Sequence, residues 1–215
     1  MPEVRTRERV NRKVEQSRQT QERLIQVARS LFAERGFAAT GTEELCERAG
    51  MTRGALYHQY ADKKDLFRAV FETVEQDLGQ KIAIAAATAT DPWEQLRLGM
   101  RAFLATCVDP EVRRIVLTDG PSVLGWDEWR RIDGQYAFGM VRTVLDLNIQ
   151  AGNLPKLSVE PFVHLIVGAL NEAGLAIAAA ADTDAAKQRF VATFDGVLEA
   201  FRTAATAPSA GHARR

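Results

Sequence analysis

Cysteine and histidine are scarce in these 215 residues, and net charge is absent: two Cys, three His, and 28 basic side chains against 28 acidic ones. Cys46 and Cys107 are too few for a secreted disulfide framework and read as thiols in a reducing compartment. His58, His164 and His212 show no metal-ligand spacing with Cys, and no glycine-rich phosphate loop or nucleophile elbow is present, so no cofactor and no metal are expected. Catalysis is therefore a remote reading. Asp127, Glu128 and Asp133 share one predicted helix, where a solvated face explains them more simply. No alternating β-branched run argues for a strand, and no internal repeat is found. Residues Met1–Arg18 are charged and carry no apolar stretch, which predicts no secretory signal and a cytoplasmic protein. The longest apolar run, Phe162–Ala181, includes His164, Asn171 and Glu172, polar groups that lipid disfavours, so a helix buried among helices is expected and no membrane partner.

Hydrophobic residues make up 46% of the chain, enough at this length for a core without disulfides. Zero net charge conceals an asymmetry. Residues 1–68 hold fourteen basic and ten acidic side chains, and the remainder holds fourteen and eighteen. The excess starts in an arm containing Arg5, Arg7, Arg9, Arg12, Lys13 and Arg18, which suggests an anionic partner at one end or simply a solvated tail. Apolar spacing predicts helices throughout: Gln19–Arg35, Gly41–Ala49 (opened by a Thr40/Glu43 capping box), Arg53–Gln59, and Lys63 to about Ala87. Further helices start at Asp91-Pro92, run from about Trp126 to Ala151, and close with Val159–Ala181 and Ala185–Ala205. Asp119-Gly120-Pro121 is expected to interrupt one of them. The class is all-α.

Two short helices joined by Ala49-Gly50-Met51-Thr52 have the form of a helix-turn-helix, whose second member can enter the major groove of DNA. Arg53 can pair bidentately with guanine, and Gly54 removes a side chain that would hold the helix off the duplex. Tyr57 and His58 can reach base edges or phosphates. Thr52 offers a hydroxyl at the helix start, and Lys63 a further phosphate contact. Leu45, Ala49, Leu56, Leu66 and Phe67 read as core, and Lys64 as solvated.

The stretches Gly36-Phe37-Ala38-Ala39-Thr40, Glu43-Glu44-Leu45, Ala49 through Tyr60, and Lys63-Lys64-Asp65-Leu66-Phe67 resemble the DNA-binding domain of TetR-family transcriptional regulators. The match covers about Thr20 to Phe71. It implies a homodimer of about nine helices per subunit, with an N-terminal three-helix DNA-binding domain and a C-terminal helical ligand-binding and dimerisation domain. Gly41 stands where a hydroxyl residue is common, so Thr42 can replace it, and Thr40 joins the DNA-contact set. Cys46 stands where a small Ala is usual, as a packed thiol or, alternatively, a redox sensor; Met51 and Tyr60 also depart from the pattern but can still pack. The divisions expected are an arm (1–18), the reader (19–67), the effector domain (68–206) and a frayed tail (207–215).

In the last two helices, Phe162, Ile166, Leu170, Phe190, Phe194, Val197 and Phe201 fall on broad apolar faces, which a twofold partner or the chain's own middle helices would cover. The middle segment is expected to wall a mostly apolar pocket. Phe103, Cys107, Leu117, Trp126, Trp129, Tyr136, Phe138 and Met140 supply its surface, with Arg113, Asp133, His164 and Asn171 as polar anchors; for each, an ordinary core role is the competing reading. The function expected is a sequence-specific repressor released from a palindromic double-stranded DNA operator by a small hydrophobic or amphipathic effector, with activation left open. The alternatives are an effector-independent architectural DNA-binding protein, a helical interaction module, or a helical enzyme.

Overall fold

A computed structural model describes residues 2–156 and 158–206, with side chains at 15, 18–156 and 158–203. The arm residues Arg5, Arg7, Arg9, Arg12 and Lys13, and the tail beyond 206, lie outside those descriptions. Among the described residues the chain forms nine α-helices, one π-helical segment and no strand.

Helix α1 (Pro2–Ala39) begins well before the expected Gln19. Arg18 explains part of the extension, since it bonds Glu15 at 2.8 Å and Glu22 at 3.1 Å on successive turns of an Arg/Glu/Gln-rich helix. The regular helix breaks at Gly36, whose φ of 80° is left-handed, and Arg114 lies so close that a Cβ there would meet its guanidinium at 2.6 Å. Helices α2 (Thr42–Ala49) and α3 (Arg53–Gln59) follow, separated by the turn at Gly50. Leu24, Ala28, Leu31, Phe32, Leu45, Leu56, Leu66 and Phe67 are buried at their centre. The rings of Phe32, Phe37 and Phe67 meet pairwise with centroids 5.3–5.8 Å apart, and each fully buried ring or Leu contributes about 1.5–3 kcal/mol.

Helix α4 (Lys63–Ala86) opens on a reciprocal cap: Asp62 accepts from the Asp65 amide at 2.7 Å, and Asp65 accepts from the Ala61 amide at 3.1 Å. It continues unbroken into the C-terminal half. There α5 (Pro92–Thr106), capped by Asp91, packs along it, with α7 (Trp126–Gln150), α8 (Val159–Ala179) and α9 (Thr183–Thr206) completing the bundle.

The expected interruption at Asp119-Gly120-Pro121 is absent. The π-helical segment Val112–Asp119 runs directly into α6 (Gly120–Leu124), and the chain turns at Gly125 instead. Pro121 has no N–H to give in this continuous run, and the Val116 carbonyl five residues back accepts from the Trp129 indole at 2.9 Å instead. Gly120 is there for close packing, since a Cβ would meet Trp129 at 2.9 Å and Phe71 at 3.0 Å. Helix α8 is long and apolar enough to cross a membrane, but its Phe162, Val163, Ile166, Val167, Leu170, Ala173 and Ile177 are buried within the subunit.

Candidate nucleic-acid interface and effector cavity

At the reader, Thr52 caps α3 by accepting from the Ala55 amide at 3.2 Å, leaving its own hydroxyl proton free to donate. Thr52, Arg53, Gly54, Tyr57 and His58 are all exposed, so the side chains expected to meet DNA share one outward end of the molecule. An added Cβ at Gly54 would meet nothing closer than Thr52 Oγ1 at 3.9 Å, so the chain's own fold leaves room for a side chain there. Arg53 pairs loosely with Glu43 at 3.2 Å, both side chains being largely in solvent. Arg23 on α1 lies beside the turn glycine Gly50, a neighbour that spacing did not single out.

Two residues expected at the DNA surface are engaged elsewhere. Thr40 is buried, and its hydroxyl donates to the Gly36 carbonyl at 2.8 Å; it closes the end of α1 rather than capping α2, whose N-cap is Gly41 with no side-chain bond. Lys63 donates to the carbonyls of Phe37 (2.8 Å) and Thr40 (2.9 Å), and its ammonium sits 4.1 Å from the centre of the Phe37 ring. It satisfies carbonyls left over where α1 ends. Burial lowers its pKa. Thr42 is half-buried in the first turn of α2. Lys64, expected to be solvated, donates to the Leu124 carbonyl. Cys46 is buried and its thiol pKa raised by that burial, which favours packing over redox sensing.

The cavity lies in the C-terminal half, about 400 Å³ in volume, between α4, α5, α7 and α8. Of the ten expected ligand contacts, Phe103, Asp133, Met140 and Asn171 line it. The other six do not. Trp129 is core, its indole N–H donating to the Val116 carbonyl at 2.9 Å. Cys107 and Leu117 are buried where α8 passes closest, near Gly174, and burial pushes the Cys107 thiol up to about 12. Tyr136 packs on Gly79 of α4. Arg113 points to solvent, and His164 is exposed beside Phe138 and Glu160. Trp126 is half in solvent, against Trp129.

Sequence reasoning missed Glu75. It is 3% exposed, and its Oε1 is buried without a hydrogen-bond partner. Desolvation first, then the neighbouring Asp133 carboxylate, raise its pKa to about 8. Asp133 is also raised by burial, partly offset by the 2.6 Å bond from Asn171. The signal was available in the sequence, since Phe71, Val74, Glu75 and Leu78 share one helical face.

Of the expected dimer contacts, Phe162, Ile166 and Leu170 are covered by the subunit's own helices, Ile166 and Leu170 at the cavity wall. Phe162 meets Phe201 edge-on at 5.3 Å, and Phe190 and Phe194 are half-buried on the core. Val197 on α9 and Leu165 on α8 remain exposed.

A junction ties the two ends together. Arg29 of α1 bridges Asp77 of α4 (2.5 Å) and Glu111 (2.7 Å) just before the π-helical segment. Asp119 accepts from the Phe37 amide at 2.7 Å, and Arg114 donates to the Arg35 carbonyl at 3.0 Å.

Comparison with known proteins agrees with both halves. Residues 24–70 match the family described as bacterial regulatory proteins, tetR family, and residues 93–201 match the tetracyclin repressor-like C-terminal domain. A solved TetR-family transcriptional regulator from Pectobacterium atrosepticum is 33% identical, over 86% of this chain and 95% of that one, with a TM-score of 0.78. The transposon Tn10 TetC protein of Escherichia coli is 26% identical over 87% of this chain and 95% of its own length. The HTH-type transcriptional regulator AcrR of Shigella flexneri is 34% identical over 48% of each. With the helix-turn-helix at one end and a matching C-terminal domain over the rest, the chain belongs to the TetR family of transcriptional regulators.

Proposed function

We propose that this regulator binds a palindromic operator as a homodimer, acts as a repressor in the cytoplasm, and is released by a small hydrophobic or amphipathic effector. One observation carries the reading: α4 starts under the recognition helix at Lys63 and ends in the cavity wall at Ile82, Ala83 and Ala86, without a break. A ligand that prefers one tilt of α4 therefore changes where α3 stands. Two copies of α3 must lie about 34 Å apart to enter successive major grooves, so a small change of tilt spoils simultaneous binding. The shift is bounded by the ligand's differential affinity for the two arrangements. The π-helical segment offers a second connection, because it packs on α8 on one side and is bonded to the end of α1 on the other.

In this reading residues 19–67 form the reader and 68–206 the effector and dimerisation domain. Arg53 reads a base; Thr52, Tyr57, His58 and Thr42 position the backbone of the duplex, with Arg23 beside them. The exposed Leu165 and Val197 mark the face where the second subunit joins. A gel shift on the DNA upstream of the protein's own coding sequence tests it. Wild type should retard one fragment specifically, and Arg53→Ala should relax discrimination at one base pair by about 1–3 kcal/mol. An equal loss on every sequence would remove Arg53 from base reading.

A further inference from the structure

The cavity wall is apolar except for Gln95, Asp133, Thr143 and Asn171, and it contains no Lys, Arg or His. Asp133 is 7% exposed and carries one bond from a neutral amide, Asn171 Nδ2 to Oδ2 at 2.6 Å. No described cation forms an ion pair with it. On the neighbouring α4, Glu75 presents a second buried carboxyl with an unpartnered oxygen. Glu75 stands behind the cavity wall rather than in it, but close enough for the Asp133 carboxylate to act on it, so two neighbouring buried acids have one neutral donor, on Asp133, an arrangement that favours a positive guest.

We propose that the effector is an amphipathic monocation whose apolar body fills the cavity and whose ammonium or amidinium group is held by Asp133, with Glu75 as the second carboxyl. This rests on the reading that the cavity is the effector site. A neutral alcohol could donate one hydrogen bond to Asp133 but would bring no positive charge to the two acids, on which Arg130 acts without forming an ion pair. The cation supplies donors and neutralises the charge together.

Proton release follows. Near neutrality Glu75 holds its proton, its pKa being raised to about 8 by burial and by Asp133. A bound cation favours the ionised acid, so binding expels that proton and affinity rises with pH up to about 8. The other groups around the pair are Glu72 on α4, Arg130 and Tyr136 on α7, and Cys107 after α5; α8 contributes the neutral Asn171. Burial raises Tyr136 above its usual range and Cys107 to about 12, so neither titrates in this window.

The test is calorimetric titration of the full-length protein at pH 7 with n-alkylamines from hexyl to decyl and with n-alkanols of the same lengths, in two buffers of different ionisation enthalpy. The amines should bind at least about tenfold more tightly than the alcohols and release up to one proton per subunit. Asp133→Asn should weaken the amines by about tenfold or more and leave the alcohols within about twofold. Glu75→Gln should abolish proton release. An amine bound as its neutral base would also shed one proton, so Glu75→Gln, which removes only the share of the acid, separates the two and does so even where Asp133→Asn fails to fold. Alcohols binding as tightly as amines, or proton release that survives Glu75→Gln, would overturn the cation and leave the effector cavity standing, and amine binding without proton release would overturn the part given to Glu75. Failure of both series to bind would overturn both readings.

Discussion

The reader and the effector half use the same helical architecture, but they depend on their residues differently. In the reader, function sits on adjacent positions of one short helix: Thr52, Arg53, Gly54, Tyr57 and His58 are neighbours in sequence and share one exposed end. In the effector half, the cavity draws on Ile82, Phe103, Asp133 and Asn171, which four different helices bring together. Local chemistry specifies the first, and only packing specifies the second. The junction joins them through Arg29, Arg114 and Asp119, so neither is structurally independent.

The largest expected effect tests that dependence. Trp129 is almost fully buried, bonded through its indole to Val116, and lies close against Gly120. Trp129→Ala should cost about 3–5 kcal/mol in urea unfolding. All three tryptophans, Trp93, Trp126 and Trp129, lie in the effector half, whereas circular dichroism sees every helix. Trp93 and Trp126 keep the fluorescence signal in the variant. Coincident curves from the two probes, both moved to lower urea, are expected if the junction makes one cooperative unit. A circular dichroism curve that keeps a stable second phase would separate the halves.

Glu75 provides the next contrast, because only the effector half contains an unpartnered buried acid among the described residues. Its folded pKa of about 8 lies above the ordinary value of 4.5, so the native state holds a proton that the unfolded chain releases. Stability is therefore greatest below about pH 4.5 as far as this group is concerned, and it declines as pH rises to about 8. Glu75→Gln keeps the neutral shape and removes the decline. Its melting temperature should exceed that of wild type by a few degrees at pH 8 and by much less at pH 5, as scanning calorimetry can show. An equal gain at both values would mean that the carboxyl does not titrate in this range.

This contrast also explains what could be read from sequence. The all-α class and most helix limits followed from apolar spacing and caps; Asp91 caps the helix it was expected to open, and Asp62 and Thr52 cap α4 and α3. The exposed end of α3 followed because a helix-turn-helix is a local pattern. Thr40 and Lys63 are engaged inside the fold for a reason that spacing does not show. Both satisfy carbonyls at the end of α1, and a chain read in one dimension does not show which distant carbonyls lack partners. Four of the ten expected contacts line the cavity. Phe103, Met140, Asp133 and Asn171 face inward, but Trp129 and Cys107 have the same composition and fill space instead. Periodicity tells the buried face of a helix and is silent on whether that face meets a neighbour or a void. Glu75 carried a usable signal: an acid inside an apolar helical stripe.

Lys63 sharpens the boundary between holding the reader together and touching DNA. Its two bonds to carbonyls and its position over the Phe37 ring tie the start of α4 to the end of α1. Lys63→Met keeps the stem and removes the donors, and should cost about 1–2 kcal/mol of stability. The slope of log affinity for DNA against log salt should stay as in wild type, because no phosphate contact is lost. A slope reduced by about one unit would put the ammonium on phosphate in the complex, at the expense of the carbonyls it holds in the free protein.

The smallest effect concerns Arg53 and Glu43. Their 3.2 Å pair is open to solvent on both sides and contributes little to the fold. For DNA it matters more, because Glu43 competes with the duplex for the guanidinium and places an acid close to the approaching phosphates. Glu43→Gln should leave the melting temperature unchanged and tighten operator binding by about two- to fivefold at low salt. The gain should shrink as salt screens both the pair and the phosphates. Combined with Arg53→Ala, the substitution should lose whatever part of its benefit comes from freeing Arg53 and keep the part that comes from removing repulsion. A double-mutant cycle on DNA affinity separates the two. Full additivity would mean that Glu43 acts on the field around α3 alone and that Arg53 is already free to reach its base.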